Sequence, residues 1–315
     1  MFRYIAGKIG LALFVMVGIT SFAFMLGVLS PGDPAEISLS SGGNYTPTPE
    51  ELRIVRKQMG LDKPYYIQYV NWITQVFGGN LGVSFRSKKP VTQEILTRLP
   101  ITAAIAGTSV LLTAIFGIGA GILMVLRPKG IIHQSGQFFS MLTISLPGFW
   151  LAILLIHVFA ERLRWLPTSG QSSWKHLIMP IIVLSAGNVG IVVRLMRSSL
   201  DTQMRRHYVL VAASKGMTRS RTVFSHALVN SLIPVVTLLG NSLGGVLGGS
   251  VIVESVFAIN GLGKYALESI AVRDYPALQG YVLVTGFTFV LINLLLDMIY
   301  LALNPQIRLA GKTIS

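Results

Sequence analysis

Residues 208–253 read YVLVAASKGMTRSRTVFSHALVNSLIPVVTLLGNSLGGVLGGSVIV: a basic, glycine-broken stretch, then a run from Ala227 to Val253 with no Asp, Glu, Lys or Arg. That run exceeds the ~20 apolar residues a helix needs to cross a hydrocarbon core. Comparable runs lie at Ile9–Leu29, Ile101–Leu126, Gly136–Ala160, Leu177–Val193 and Ala277–Leu296. Six membrane-spanning helices are expected. The first run is expected to be retained, because it is longer than the roughly 7–15 apolar residues of a signal peptide and SPGDPAE offers no small-x-small cleavage site.

Composition points the same way. Of 315 residues, 52% are hydrophobic and 12% charged, about half the charged share of a soluble domain. The net charge of +14 is scattered between apolar runs and forms no continuous basic stripe, which argues against a nucleic-acid face. There is no cysteine, so disulfides and thiolate metal sites are excluded. The five histidines are dispersed, with no H-E-x-x-H pattern and no metal site expected. No phosphate-binding G-x-x-x-x-G-K-[ST] loop and no nucleophile elbow occur, so catalysis is not expected of this chain.

Lys and Arg in short loops set membrane orientation. With the N-terminus inside, the inner segments hold Arg3, Lys8, Arg127, Lys129, Arg194, Arg197, Arg205, Arg206, Lys215, Arg219, Arg221, Arg308 and Lys312. The short outer loops hold Arg162, Arg164, Lys175, Lys264 and Arg273. The segment from Ser30 to Pro100 is too long to carry the bias and is placed outside. Both termini are expected in the cytoplasm.

Within that outer segment, Thr48-Pro49-Glu50-Glu51 predicts a capped helix ending near Gly60. A second helix from Pro64 carries Tyr65, Tyr66, Tyr69 and Trp72 as an aromatic face suited to the membrane surface, and Gly78-Gly79 ends it. The division expected is 1–100, holding the first span and outer helices, and 101–315, a five-helix core with a loop at 201–226.

In that loop, residues from Tyr208 form a short helix, Gly216 turns the chain and Thr218 caps a second helix through Phe224. Apolar residues and cations held off the membrane suit a helix-in-groove contact with a soluble partner. A solvated loop whose arginines only fix topology is the alternative.

Gly240, Gly244 and Gly248, with Gly245 and Gly249 one step round, place small residues four apart for close helix packing, as do Gly117 and Gly121. Pro147-Gly148 and Pro234 are expected to kink their helices. Asp297 is expected to pair with Arg194 or Arg197 at the same depth, and His157 to pack at the interface. Glu254, Asn188 and Asn241 are the polar candidates for a pathway or gate.

YVLVAASKG (208–216) with HALVNSLIPV (226–235) resembles the coupling loop of binding-protein-dependent ABC importer permeases, of the first (B-type) permease of dipeptide, oligopeptide and nickel importers. The stretches at 59–85, ISLPGFWLAILLI (144–156), 248–284 and NLLLDMIYLALNPQIR (293–308) are similar to the same family. Two departures stand out. Leu210-Val211-Ala212 replaces a Glu-Ala-Ala start, and Asn260 stands where proline is common before Gly-Leu-Gly.

The resemblance implies an all-α permease of the type I importer fold in the bacterial inner membrane, half of a translocation pathway for peptides or nickel and other metal chelates. It implies coupling through Tyr208, Ala212, Lys215, Gly216, Met217 and Arg219. The partners implied are a second permease, two ATP-binding cassette subunits that bind ATP and Mg, and an extracytoplasmic solute-binding protein, with no cofactor in this chain. The competing class, a self-sufficient secondary transporter or channel, calls for mid-membrane carboxylates, whereas Glu254 and Asp297 lie toward helix ends.

The cysteine-free chain allows a direct test of topology. Lys89→Cys should react with an impermeant maleimide in intact cells or spheroplasts, and Lys215→Cys only after lysis. The reverse labelling pattern would overturn the orientation.

Overall fold

The computed structural model describes residues 2–29, 32–40 and 45–303. In chain order the helices are α1 (Phe2–Leu29), α2 (Pro34–Ser40), α3 (Pro49–Gln58), α4 (Tyr65–Phe77), α5 (Val91–Leu126), α6 (Ile131–Ser145) and α7 (Gly148–Leu155). There follow α8 (Lys175–Met204), α9 (His207–Ser214), α10 (Arg219–Thr222), α11 (Leu228–Gly249), α12 (Val251–Val256), α13 (Leu262–Ala271) and α14 (Tyr275–Leu303). π-helical turns extend α7 through Ile156–Arg162 and join α10 to α11 through Val223–Ala227. Among the described residues the only β pairing is an isolated bridge between Val83 and Pro90.

Among the described residues five helices are long and apolar enough to cross a membrane, and α6 with α7, bent by 102° at the break between them, adds a sixth where the bent pair is counted as one span. The bend is sharper than the kink the sequence suggests. Pro147 has no N–H to give and pushes its predecessor out of the helical region. Leu146 accordingly sits at φ −81°, ψ 123°, which stops α6 and lets Pro147 start α7. Pro234, by contrast, is carried inside α11 without ending it. Large apolar side chains point outward along the spans, among them Phe14 on α1, Phe116 on α5 and Met298 on α14. Such a surface suits lipid and would aggregate in water.

Packing divides the chain into two units, so that residues 260–290 cluster with the N-terminal region. The first unit comprises 1–8, 103–259 and 291–315. Its α8 is flanked by α6, α7 and α11. Gly117 and Gly121 allow α5 to lie against α8: a Cβ at Gly117 would come 2.5 Å from Val192 Cγ1, and one at Gly121 2.7 Å from Met196 Cβ. Val125, Val192, Met196, Leu200, Val223, Ala227 and Val235 form one buried cluster there. Asp297 pairs with Lys8 at 2.9 Å rather than with Arg194 or Arg197, while Arg197 faces Asp201 at 3.7 Å. The partner comes from the other end of the chain, which local charge spacing does not reveal.

The second unit comprises 9–102 and 260–290. The Thr48 capping box forms as expected: the Glu51 N–H donates to Thr48 Oγ1, and Glu51 Oε2 accepts from the Thr48 N–H at 2.8 Å. The hydroxyl of Tyr45, then Thr48, hold the Glu51 carboxyl below its ordinary range. On α4 the aromatic face divides. Tyr69 meets Phe24 of α1 edge to face and Trp72 meets it at a tilt, with ring centroids 5.3 and 5.8 Å away, whereas Tyr65 and Tyr66 stay exposed.

The loop between α4 and α5 is tied down by Asp274, itself buried. Its carboxylate accepts the Ser84 hydroxyl at 2.5 Å and the backbone N–H groups of Phe85 at 3.0 Å and Arg86 at 3.2 Å. The backbone N–H of Leu262, the first residue of α13, donates to Thr102 Oγ1 at 2.8 Å. Tyr265 lies with Val91, Ile95, Leu262 and Ala277 under the Arg98 guanidinium, which sits 4.6 Å from its ring centroid. Its hydroxyl is buried without a hydrogen-bond partner among the described residues. Burial, with the Asp274 and Glu94 carboxylates adding to it, pushes this phenol above its ordinary range.

These two neighbours should respond oppositely to truncation. Asp274→Ala strands buried donors and should cost about 2 kcal/mol or more, read as a lower unfolding midpoint and faster tryptic cleavage after Lys88. Tyr265→Phe removes a hydroxyl that bonds to nothing described and should be neutral or slightly stabilising. The native state keeps the Tyr265 proton where the unfolded chain has lost it, so stability falls as pH rises past about 10. Tyr265→Phe should blunt that fall.

Candidate coupling site and pathway residues

The stretch at 207–227 folds as a short helix, a turn and a second short helix, all within the first unit. α9 ends at Ser214. Gly216 then takes φ +81°, a conformation that glycine adopts without the steric cost a Cβ brings. A Cβ at Gly216 would meet nothing within 4 Å, so conformation rather than space calls for glycine here. Thr218 caps α10 by accepting the Arg221 N–H at 3.4 Å, and π-helical turns carry the chain into α11.

Each helix of the pair has a fixed face and a free one. On α9, Val209 and Ala212 are buried, while Tyr208, Leu210 and Val211 are between 43% and 56% exposed. After α10, Val223 and Ala227 are buried and Phe224 is exposed. Lys215 and Met217 flank the turn, Lys215 exposed and Met217 half-buried. Arg219 is an anchor as well as a charge: its Nε donates to the carbonyl of Val125, at the end of α5, at 3.0 Å. The Tyr208 hydroxyl donates to Gln203 Oε1 at 2.8 Å and accepts from Asn230 Nδ2 at 3.1 Å, which links α9 to both flanking helices. Gln203 and Asn230 escaped the sequence reading, because amides at a helix end carry no periodic signal.

The glycines of α11 play different parts. A Cβ at Gly240 would collide with Leu296 of α14, so this glycine is needed for packing inside the chain. At Gly245 and Gly248 a Cβ would meet nothing within 4 Å. Gly244 is half-buried on the same helix, and the side-chain surroundings of Gly249 lie outside the described residues.

Among the pathway candidates, Glu254 is fully buried on α12, where the Ser250 hydroxyl donates to its Oε1 at 2.7 Å. Asn188 is half-buried on α8 and donates to the Leu184 carbonyl at 3.3 Å, and Asn241 is exposed on α11. Two asparagines and one carboxylate on separate helices form no relay of the kind a proton-driven carrier uses. Exposed His157 sits 2.8 Å from Glu161 Oε2, four residues along the same segment. Among the described residues no group of three or more His, Cys, Asp or Glu could hold a metal ion.

Comparison with known proteins identifies the family. Residues 117–309 match the family described as binding-protein-dependent transport system inner membrane component, and residues 1–106 match its N-terminal region. The chain is 38% identical over 306 residues to the glutathione transport system permease protein GsiC of Pectobacterium atrosepticum, covering 97% of each. It is 36% identical to GsiC of Escherichia coli strain K12 over the same 97%. Among solved structures it is similar to a chain of the MetNI methionine ABC transporter, with a TM-score of 0.54 and 18% identity, over 67% of this chain and 96% of that one. That likeness shows a shared fold. The chain belongs to the family of binding-protein-dependent inner-membrane permeases and is the permease component of an ABC importer.

Proposed function

We propose that this permease forms half of the pathway of an ATP-driven importer of short, glutathione-like peptides. The observation that carries the substrate class is the 38% identity over 97% of the chain to a glutathione permease. A second permease subunit supplies the other half, two ATP-binding cassette subunits bind ATP and Mg, and an extracytoplasmic binding protein delivers the peptide. In this reading both termini are cytoplasmic and no cofactor binds this chain.

Coupling runs through residues 207–227. The exposed apolar patch of Tyr208, Leu210, Val211 and Phe224 seats in a groove of an ATPase, while Val209, Ala212 and Arg219 hold the pair to the spans. Gly245 and Gly248, with room beside them, suit close approach by a helix of the second permease.

Substrate class is tested with the assembled transporter in proteoliposomes. Binding protein loaded with glutathione or a short peptide should stimulate ATP hydrolysis, and stimulation by nickel chelates alone would overturn the peptide reading.

Coupling has its own test. Gly216→Val forces a β-branched residue to positive φ and should nearly abolish stimulated hydrolysis and transport while the spans still insert. Lys215→Ala removes one exposed charge, worth under about 1 kcal/mol, and should be mild. Normal transport by Gly216→Val, or greater damage from Lys215→Ala, would refute a socket defined by shape.

A further inference from the structure

A second binding feature lies in the first unit, where α6 meets α8. At Gly190 the α6 backbone lies directly on α8, and a Cβ there would come 2.5 Å from the Ser140 carbonyl. One turn further along α8 begins a cavity of about 890 Å³, lined by Arg194, Arg197, Arg205 and Arg206 with Gln137 of α6. Asp201 is the one carboxylate in its wall, 3.7 Å from Arg197, so guanidinium charge is in clear excess. Arg206 meets the coupling pair through its backbone, where its carbonyl accepts the Val209 and Leu210 N–H groups of α9.

Depth and neighbourhood identify the ligand class. Arg194 directly follows the apolar run Leu177–Val193, so the guanidinium groups begin where hydrocarbon gives way to headgroups. Planar guanidinium forks match phosphate oxygens in geometry as well as charge. Met141 of α6 lines the cavity and is 54% exposed, and Phe138, three residues back on the same helix, is 69% exposed, which gives α6 an apolar side next to the charged one. A soluble anion has no use for that side. A phospholipid fills both parts, with its phosphodiester among the arginines and its acyl chains along α6. Basic pockets between membrane helices are known to hold anionic lipid headgroups.

We infer that the α6–α8 cavity is a specific site for an anionic phospholipid. The assembled transporter, purified in detergent and stripped of lipid, is incubated with phosphatidylglycerol or with phosphatidylcholine of the same chains, and bound lipid is counted by native mass spectrometry. The wild type should retain phosphatidylglycerol in preference to phosphatidylcholine, and millimolar inorganic phosphate should not displace it. Arg194→Gln/Arg197→Gln/Arg206→Gln should weaken retention about a hundredfold, since each arginine near an anionic headgroup contributes roughly fivefold. Arg162→Gln/Arg164→Gln, charges elsewhere on the chain, should change nothing. Equal retention of the two lipids by the wild type overturns the site without recourse to any variant. Displacement by phosphate alone would show an anion site and not a lipid site. Undiminished retention by the triple variant would place the lipid elsewhere.

Discussion

In hydrocarbon a backbone N–H or C=O has only the chain itself for a partner, and the architecture follows from that constraint. Every described span is helical, and hydroxyl groups along the spans turn back onto their own carbonyls. Thr113 donates to Ser109, Thr237 to Ile233 and Thr288 to Val284, each one turn back along its helix. With polar groups satisfied locally, helix association depends on how closely the backbones approach. Gly117, Gly121, Gly190 and Gly240 sit where a Cβ would force α5, α6, α8, α11 or α14 apart. The sharp break at Pro147 is tolerated because each half closes its own bonds: the Leu146 N–H reaches the Leu142 carbonyl at 3.2 Å, and the Pro147 carbonyl accepts the Leu151 N–H at 3.1 Å.

Where the chain leaves the helices, buried carboxylates organise it. Asp274 gathers the Ser84 hydroxyl and the following backbone N–H groups, so a loop almost two hundred residues away in sequence is held against the start of α14. Glu254 does a related service at the end of α12. Ser250 donates to its side chain, its carbonyl accepts the Ile259 N–H at 2.8 Å, and Ala258 takes φ 53° to make the turn. A buried carboxylate with several donors is costly to disturb, which holds these loops in one shape.

The parts of this architecture that were legible in the sequence are the local ones. The Thr48 capping box, the positive φ at Gly216 and the Thr218 cap depend on residues within a few positions of one another, and each formed as the residues dictate. Span positions were legible because twenty apolar residues in a row need no partner to be recognised. The missing parts are those set by distant segments. Lys8 rather than Arg194 meets Asp297, and residues 260–290 cluster with the N-terminal region, because neither pairing leaves a trace in spacing along the chain. The Pro147 kink was legible and its 102° size was not, since neighbouring helices set how far a broken span swings.

The proposed coupling role gains its force from what lies beneath the exposed patch. Val223 and Ala227 belong to the same buried cluster as Val125 of α5, Met196 and Leu200 of α8, and Val235 of α11. Interiors packed at this closeness shift between discrete arrangements more readily than they compress. Arg219 adds a directional bond from α10 to the end of α5, and Tyr208 bridges α9 to the end of α8 and the start of α11. In the proposed role, a displacement of the helix pair by an ATPase therefore cannot be absorbed within the loop. It must be shared by α5, α8 and α11, the same helices whose glycines allow their backbones to lie close. In that role the loop would serve as a handle, because its buried face is part of the core of the spans.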